Sequence, residues 1–503
     1  MASTAMIEGL EKKRKIEEEW RSIYATKQSL TRADFPPDFT FGVATAAFQV
    51  EGACDEDGRG PSIWDAFSHA PGNICDGSNA HVAVDQYHRY KEDIELIANW
   101  DLELTDFLYH GVVFFQVCDS LLGIVEISTT TAMESIWLSN TQLCLNEEWY
   151  VQLADTISAD GLGTKVNIEG IRHYNNVINA LLDKGMKLVF SSFGDRVKNW
   201  ITINEPLQTA VNGYYTGVYA PGRREHSSNE PYLVAHHQLL AHAEAVSIYN
   251  KKYKDKQGGQ IGLVVDCEWS EALSDRVEDR NATTRRLDFQ LGWFLDPICF
   301  GDYPETMREK LGDRLPKFSE RHKELLKNSV DFIGLNHYTT RFVCHATVNR
   351  EDNDFYRVQE VERIAEWEGG ETIGSIALAL YGSLGHMESS RLHFYEIQQS
   401  PVYITENGMD DEEDETSPFN HMLDDKLRVS YYKGYLAAIH QAIKDGANVR
   451  GYFAWSLLDN FEWHLGYTKR FGLIYVDYKN GLTRHLKSSA YWFSQFLKAE
   501  GGA

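Results

Sequence analysis

The sequence predicts an α/β fold, a single (β/α)8 TIM barrel, and three observations carry that expectation. Short apolar runs rich in β-branched and aromatic residues alternate with amphipathic helices. Most of these runs lack clean apolar–polar alternation, as strands buried on both faces do. Polar residues gather at the C-terminal ends of the runs, the working face of a parallel barrel. No repeat at a solenoid period, low-complexity segment or linker divides the chain. The barrel is expected over residues 34–498, after a charged extension at 1–33 and before a tail at 499–503.

The strands follow in order. FTFGVATAAF (39–48) is followed by Gln49 and Glu51. KNWITIN (198–204) ends in Asn204, and Pro206 stops the run directly after Glu205. QIGLVVDCEW (260–269) carries Glu268 at its end, and DFIGLNHYT (331–339) carries Asn336 and Tyr338. PVYITENG (401–408) ends in Glu406, Asn407 and Gly408, the last two forming a tight turn. VRGYFAWSLLDNFEW (449–463) closes with polar residues from Asp459 to Trp463.

Helices are expected between them. Residues 169–185 place Ile171, Tyr174, Val177, Ile178, Leu181 and Leu182 on one stripe, with Gly185 where a terminating glycine belongs. Segments 233–253 and 431–446 read similarly, the second running through Asp445-Gly446 into the strand near Val449.

Bulk properties narrow the function. A chain of 503 residues is a soft prior of about three domains, but one barrel with insertions reaches this length. A formal net charge of −25 argues against nucleic acid or an anionic membrane as partner, since both would be repelled. Aromatic content of 12% favours sugar binding only weakly, because aromatic rings also fill cores. Seven cysteines (Cys54, Cys75, Cys118, Cys144, Cys267, Cys299, Cys344), odd in number and without a CxxC pair, argue against a disulfide framework or a zinc site. The N-terminal MASTAMIEGLEKKRKIEEEW has no apolar secretory core, and no apolar run approaches the ~20 residues of a membrane span. A cytoplasmic location is the default expectation, and Lys12 to Lys15 read as the basic face of a solvated helix.

Glu205 and Glu406 stand out chemically. Cleaving a glycosidic bond takes two carboxyl groups, one to protonate the leaving oxygen and one to attack the anomeric carbon or activate water. Both glutamates sit at rigid strand ends, and a closed barrel can bring such ends across one mouth. A lone strand-end glutamate more often caps a strand or pairs with a base; the flanking Pro206 and Asn407-Gly408 tip the balance here.

The flanking motifs carry a resemblance. TINEP (202–206) and ITENG (404–408) resemble the two signatures of glycoside hydrolase family 1. FGVATAAFQVEGA (41–53) with GRGPSIWDAFSH (58–69) is similar to that family's opening, and residues 455–492 to its closing segment. Within the family the sequence is most similar to plant cytosolic β-glucosidases, including scopolin-hydrolysing ones. The resemblance implies a retaining β-glucosidase acting on aryl or related plant β-D-glucosides, with no cofactor and no metal. Glu205 would be the acid/base and Glu406 the nucleophile. Asn204 would bond the sugar 2-hydroxyl and Tyr338 would donate to Glu406. Gln49, Glu462 and Trp463 would bind sugar hydroxyls, and Trp455 would lie under the ring with Phe471 nearby.

Three stretches depart from the family pattern. Residues 98–159 lack its arginine-bearing second strand. Ser191-Ser192 leads straight into FGDRVKNW, which omits a sugar-binding histidine and most of the crossover to the next strand. Residues 376–399 blur the approach to the nucleophile strand. The barrel is therefore expected to be incomplete around strands 2 and 3, and such abrupt losses suggest a gene-structure error. The alternative reading is a non-catalytic sugar-binding relative or a defective product. Oligomeric state is not legible.

Overall fold

The computed structural model describes residues 30–57, 61–99, 198–224, 226–327, 329–346, 355–364, 400–412 and 418–498. Six strands build the central sheet: β1 (Thr40–Ala44), β2 (Asn199–Asn204), β3 (Gln260–Asp266), β4 (Phe332–Asn336), β5 (Val402–Asn407) and β6 (Val449–Trp455). Every neighbouring pair is parallel, in the order β1-β6-β5-β4-β3-β2. Strands adjacent in sequence from β2 to β6 are thus adjacent in space, and the last pairs with the first. A sheet curled on itself into a barrel gives that order. The expected incompleteness around strands 2 and 3, the helix expected at 169–185 and the departures at 98–159, 190–193 and 376–399 lie outside the described residues, apart from residues 98 and 99.

The burial strings match strands covered on both faces: all five residues of β1 are buried, as are the last six of β3. Two expected runs are shorter than predicted. The run 39–48 leaves the sheet after Ala44 and coils into a short helix, Ala47–Val50, which buries Gln49. The run 449–463 ends at Trp455, where a cis peptide joins Ser456 and a loop begins. Side-chain bonds hold that loop in place of a ladder. Asp459 accepts from Gly472 N at 2.9 Å, Arg470 Nη1 at 2.7 Å and Lys487 Nζ at 2.8 Å.

The helices α1 (Gln86–Asn99), α2 (Glu230–Tyr249) and α3 (Lys426–Lys444) pack outside the sheet. On α3, Tyr432, Tyr435, Leu436, Ile439 and Ala442 are buried at helical spacing against Tyr452 of β6. The helix stops at Lys444, and Gly446 (φ +102°) turns the chain toward β6. α2 passes into a π turn at Asn250–Lys254. Inside the sheet, Ala44, Ile201, Val264, Phe332, Phe453 and Trp455 form one apolar cluster. It closes the barrel beneath the C-terminal strand ends, so polar side chains at those ends rest on a solid floor. No helix among the described residues is long and apolar enough to cross a membrane.

Candidate active site

All nine residues singled out in the sequence line one cavity of about 400 Å³ at the C-terminal face of the sheet. They are Gln49, Asn204, Glu205, Tyr338, Glu406, Trp455, Glu462, Trp463 and Phe471. Its size falls in the range of small-molecule sites.

Glu205 leaves β2 at a sharp corner. Its backbone N–H donates to Val264 O of β3 at 3.0 Å, and its backbone is left-handed (φ +46°, ψ +53°). A non-glycine residue in that region costs about 1–3 kcal/mol, which its surroundings must offset. Pro206 then begins a short helix, where a proline needs no N–H partner. Glu406 belongs to β5 and pairs in register with Asn336 of β4. Two residues on, Gly408 passes so close to β6 that a Cβ there would lie 2.0 Å from Trp455 O, so only glycine fits.

Asn336 joins the two acidic strands. Its Nδ2 donates to Glu205 Oε1 at 2.8 Å and to Asn204 Oδ1 at 3.0 Å, and its Oδ1 accepts from Thr405 Oγ1 at 2.6 Å. Tyr338 Oη donates to Glu406 Oε2 at 2.6 Å. On the other side, Gln49 Nε2 donates to Asn460 Oδ1 (3.0 Å), Phe461 O (2.9 Å) and Glu462 Oε2 (3.3 Å). Its Oε1 is buried without a hydrogen-bond donor among the described residues, an acceptor left for something else. Trp463 stacks parallel to Phe48 with centroids 6.2 Å apart, and Phe471 meets Tyr338 edge-on at 6.0 Å. Trp455 is 5% exposed and belongs to the barrel floor.

Glu205, Asp266, Glu406 and Glu462 are among the carboxyl groups that line this cavity, and burial disfavours the charged form of each. Burial raises the Glu205 carboxyl well above the usual range, and negative Asp266 and Glu406 add to it; the Asn336 amide opposes the shift. Burial pushes Glu406 up to about 7 against the lowering effect of the Tyr338 hydroxyl and Asn336 amide. Glu462 rises to about 8 through burial and the nearby Glu406. Asp266 rises to about 6 through burial, moderated by Gln208 Nε2, which donates to its Oδ2 at 2.7 Å. Negative Asp266 and Glu406 favour the protonated form of Glu205 while the Tyr338 hydroxyl favours the charged form of Glu406, an arrangement suited to one carboxyl acting as acid while the other is ionised.

Sequence reasoning named Asn336 as a strand-end polar residue without placing it in the site, and it missed Asp266 and Gln208. The signal was position: Asp266 ends β3 as Asn204, Asn336 and Asn407 end theirs. Outside the cavity lining, Cys54, Asp55 and His81 bring potential ligand atoms within 4.8 Å of one another, a grouping the sequence did not reveal.

Comparison with known proteins agrees with this architecture. The profile of Glycosyl hydrolase family 1 matches residues 31–107 and 186–502. Beta-glucosidase 42 of Arabidopsis thaliana is 50% identical over 514 residues, covering 93% of this chain and 95% of that protein. Beta-glucosidase 4 of Oryza sativa subsp. japonica is 48% identical over 509 residues, covering 94% of this chain and 96% of its own length. Among solved structures, the rice Os3BGlu6 beta-glucosidase superposes with a TM-score of 0.79 at 37% identity, covering 94% of this chain and all of that one. A mutant of the rice enzyme has been solved in a covalent complex with Glc, with the same TM-score and identity. By motif, strand order and similarity over most of its length, this chain belongs to glycosyl hydrolase family 1.

Proposed function

We propose that this protein is a retaining β-glucosidase, with Glu406 as nucleophile and Glu205 as acid/base. The observation that carries the reading is that both carboxyl groups line one sugar-sized cavity, with the Asn336 amide bonded to Glu205 and the Tyr338 hydroxyl bonded to Glu406. The covalent Glc complex of the rice relative supports the route through a glycosyl-enzyme.

In the first step an ionised Glu406 oxygen bonds to the anomeric carbon. The bond from that carbon to the glycosidic oxygen breaks, and that oxygen takes the proton of Glu205. Tyr338 Oη, already bonded to Glu406, holds the carboxylate in place for attack. Once Glu406 is an ester its negative charge is gone, and Glu205 loses one cause of its raised proton affinity. Glu205 then removes a proton from water, which attacks the anomeric carbon and releases Glu406.

The sugar is proposed to lie between Trp455 and the Gln49–Glu462 pair. Gln49 Oε1, buried and without a donor, would accept from one hydroxyl, and Glu462 would accept from others. Trp455 offers a flat face to the apolar side of the ring, Trp463 and Phe471 flank it, and Asn204 reaches the 2-hydroxyl. With both acids in place, a non-catalytic sugar-binding role is not favoured.

Incubation with a 2-deoxy-2-fluoro-β-glucosyl fluoride tests this directly. The expected result is a fluoroglucosyl adduct on the peptide containing Glu406, seen by mass spectrometry. An active enzyme whose label maps elsewhere, or whose first product is the α-anomer by NMR, would overturn the assignment.

A further inference from the structure

We propose that the cavity selects β-glucosides whose aglycone carries an anionic group, held by Arg286 and Arg363. The proposal rests on the glucosidase reading and adds a substrate class to it.

The direction of the aglycone follows from the chemistry. Glu205 protonates the leaving oxygen, so the leaving group extends toward β2 and β3, away from Gln49, Glu462 and Trp463. On that side β3 runs into Glu268 and then a small outer sheet of Trp269–Ala272, Thr340–His345 and Val361–Ile364. The middle strand pairs with both others; it carries Arg341, and the strand on its far side carries Arg363, so both reach Glu268. Arg363 Nη1 donates to Glu268 Oε1 at 3.1 Å, and Arg341 Nε lies 3.5 Å from Oε2. Arg286, from the helix Val277–Leu287, places Nη2 3.8 Å from Oε1.

One carboxylate thus faces three guanidinium groups. Adding Asp266, whose Oδ2 is engaged by Gln208, leaves three cations against two acids on this side of the cavity. Arg286 and Arg363 line the cavity itself. The Arg286 side chain is 5% exposed, yet its Nε–H is buried with no acceptor among the described residues. Its Nη1 donates to Gln359 Oε1 at 3.0 Å, but a buried guanidinium that keeps one donor unpaired is unfavourable unless something negative joins it. The opposite end of the cavity is lined by Glu406 and Glu462, so an anion is repelled there and attracted here. Phe355 and Tyr356 line the wall beside the arginines, and the Arg363 guanidinium sits 5.3 Å from the Tyr356 ring centroid. A planar aglycone ending in a carboxylate fits that sequence of surfaces: aromatic walls for the ring, cations for its charged end.

The test compares 4-(carboxymethyl)phenyl β-D-glucoside with its methyl ester at pH 7. The methylene keeps the two leaving groups electronically alike, so the ratio of their kcat/KM values reads charge. The full chain is expected to favour the acid roughly fivefold, mainly through KM, the scale of a partly exposed ion pair. Added salt should erode that ratio in the unmodified protein. Arg363→Gln should bring the ratio close to unity; because it is taken within each variant, a general loss of activity cancels. Hydrolysis of the ester with no preference for the acid, or a preference that survives both salt and Arg363→Gln, overturns this proposal and leaves the glucosidase reading standing. Hydrolysis of neither compound, nor of a simple nitrophenyl β-glucoside, sinks that reading and this one with it.

Discussion

The phenolic hydroxyl of Tyr338 donates to Glu406 Oε2 at 2.6 Å, two residues along the chain from the Asn336 amide that bonds Glu205. A hydrogen bond to the charged form lowers a carboxyl's proton affinity. Here it works against burial, which has pushed Glu406 up to about 7. Tyr338→Phe removes the donor, so the Glu406 value rises further. The acidic limb of the kcat/KM profile should move to higher pH, with a loss of roughly tenfold at pH 6, the equivalent of one pKa unit. An unmoved acidic limb would show that the Tyr338 hydroxyl does not govern the ionisation of Glu406.

Asp266 acts on the other carboxyl. After burial, its negative charge is the largest cause raising Glu205. Asp266→Asn removes the charge while keeping a polar group for Gln208. The alkaline limb, where Glu205 loses its proton, should shift to lower pH, whereas a structural defect would lower activity without moving the limb.

Removing the proposed acid should hurt most where protonation matters most. Glu205→Gln is expected to slow phenyl β-glucoside by about 10²–10⁴-fold. A dinitrophenyl glucoside should lose far less in its first step, because its leaving group departs as an anion. Glu406→Gln should abolish turnover of both. If Glu205→Gln slowed both substrates equally under single-turnover conditions, another residue would be the acid.

The cavity acids also make stability pH-dependent. A carboxyl raised by folding binds its proton more tightly in the native state, so its contribution is present at low pH and lost as pH rises through the folded value. Glu462 at about 8, Glu406 at about 7 and Asp266 at about 6, against ordinary values of 4.5, 4.5 and 3.8, place that loss between about pH 4 and 8. The Tm should fall across this window, and Glu406→Gln with Glu462→Gln should flatten the slope. Thermal unfolding from pH 5 to 8 checks it; a Tm that climbs toward pH 8 would contradict the burial argument.

The loop carrying Glu462 depends on Asp459, which faces Arg470 and Lys487, all three within 1% of full burial. Asp459→Asn leaves two buried cations short of a counter-charge. Breaking a buried pair this way costs about 3–5 kcal/mol. Urea unfolding should report a loss of that size, and a loss under 1 kcal/mol would mean that water reaches the cluster.

Much of this protein was legible in one dimension. All six described strands of the sheet lie within runs recognised by their apolar, β-branched character, because a strand buried on both faces leaves a continuous local signal. Glu205 and Glu406 were legible for a related reason: Pro206 and Gly408 punctuate the chain where a strand must stop. The sequence alone determined the strands, their polar ends and the pair of acids. Only the tertiary structure decided that Asn336 joins Asn204 to Glu205, that Asp266 sets the charge beside the acid, and that Arg286, Arg341 and Arg363 converge on Glu268. Those relationships join strands and helices far apart in the chain. A hydrogen bond or a Coulomb term depends on distance in space, and closure of the barrel, not sequence spacing, sets that distance.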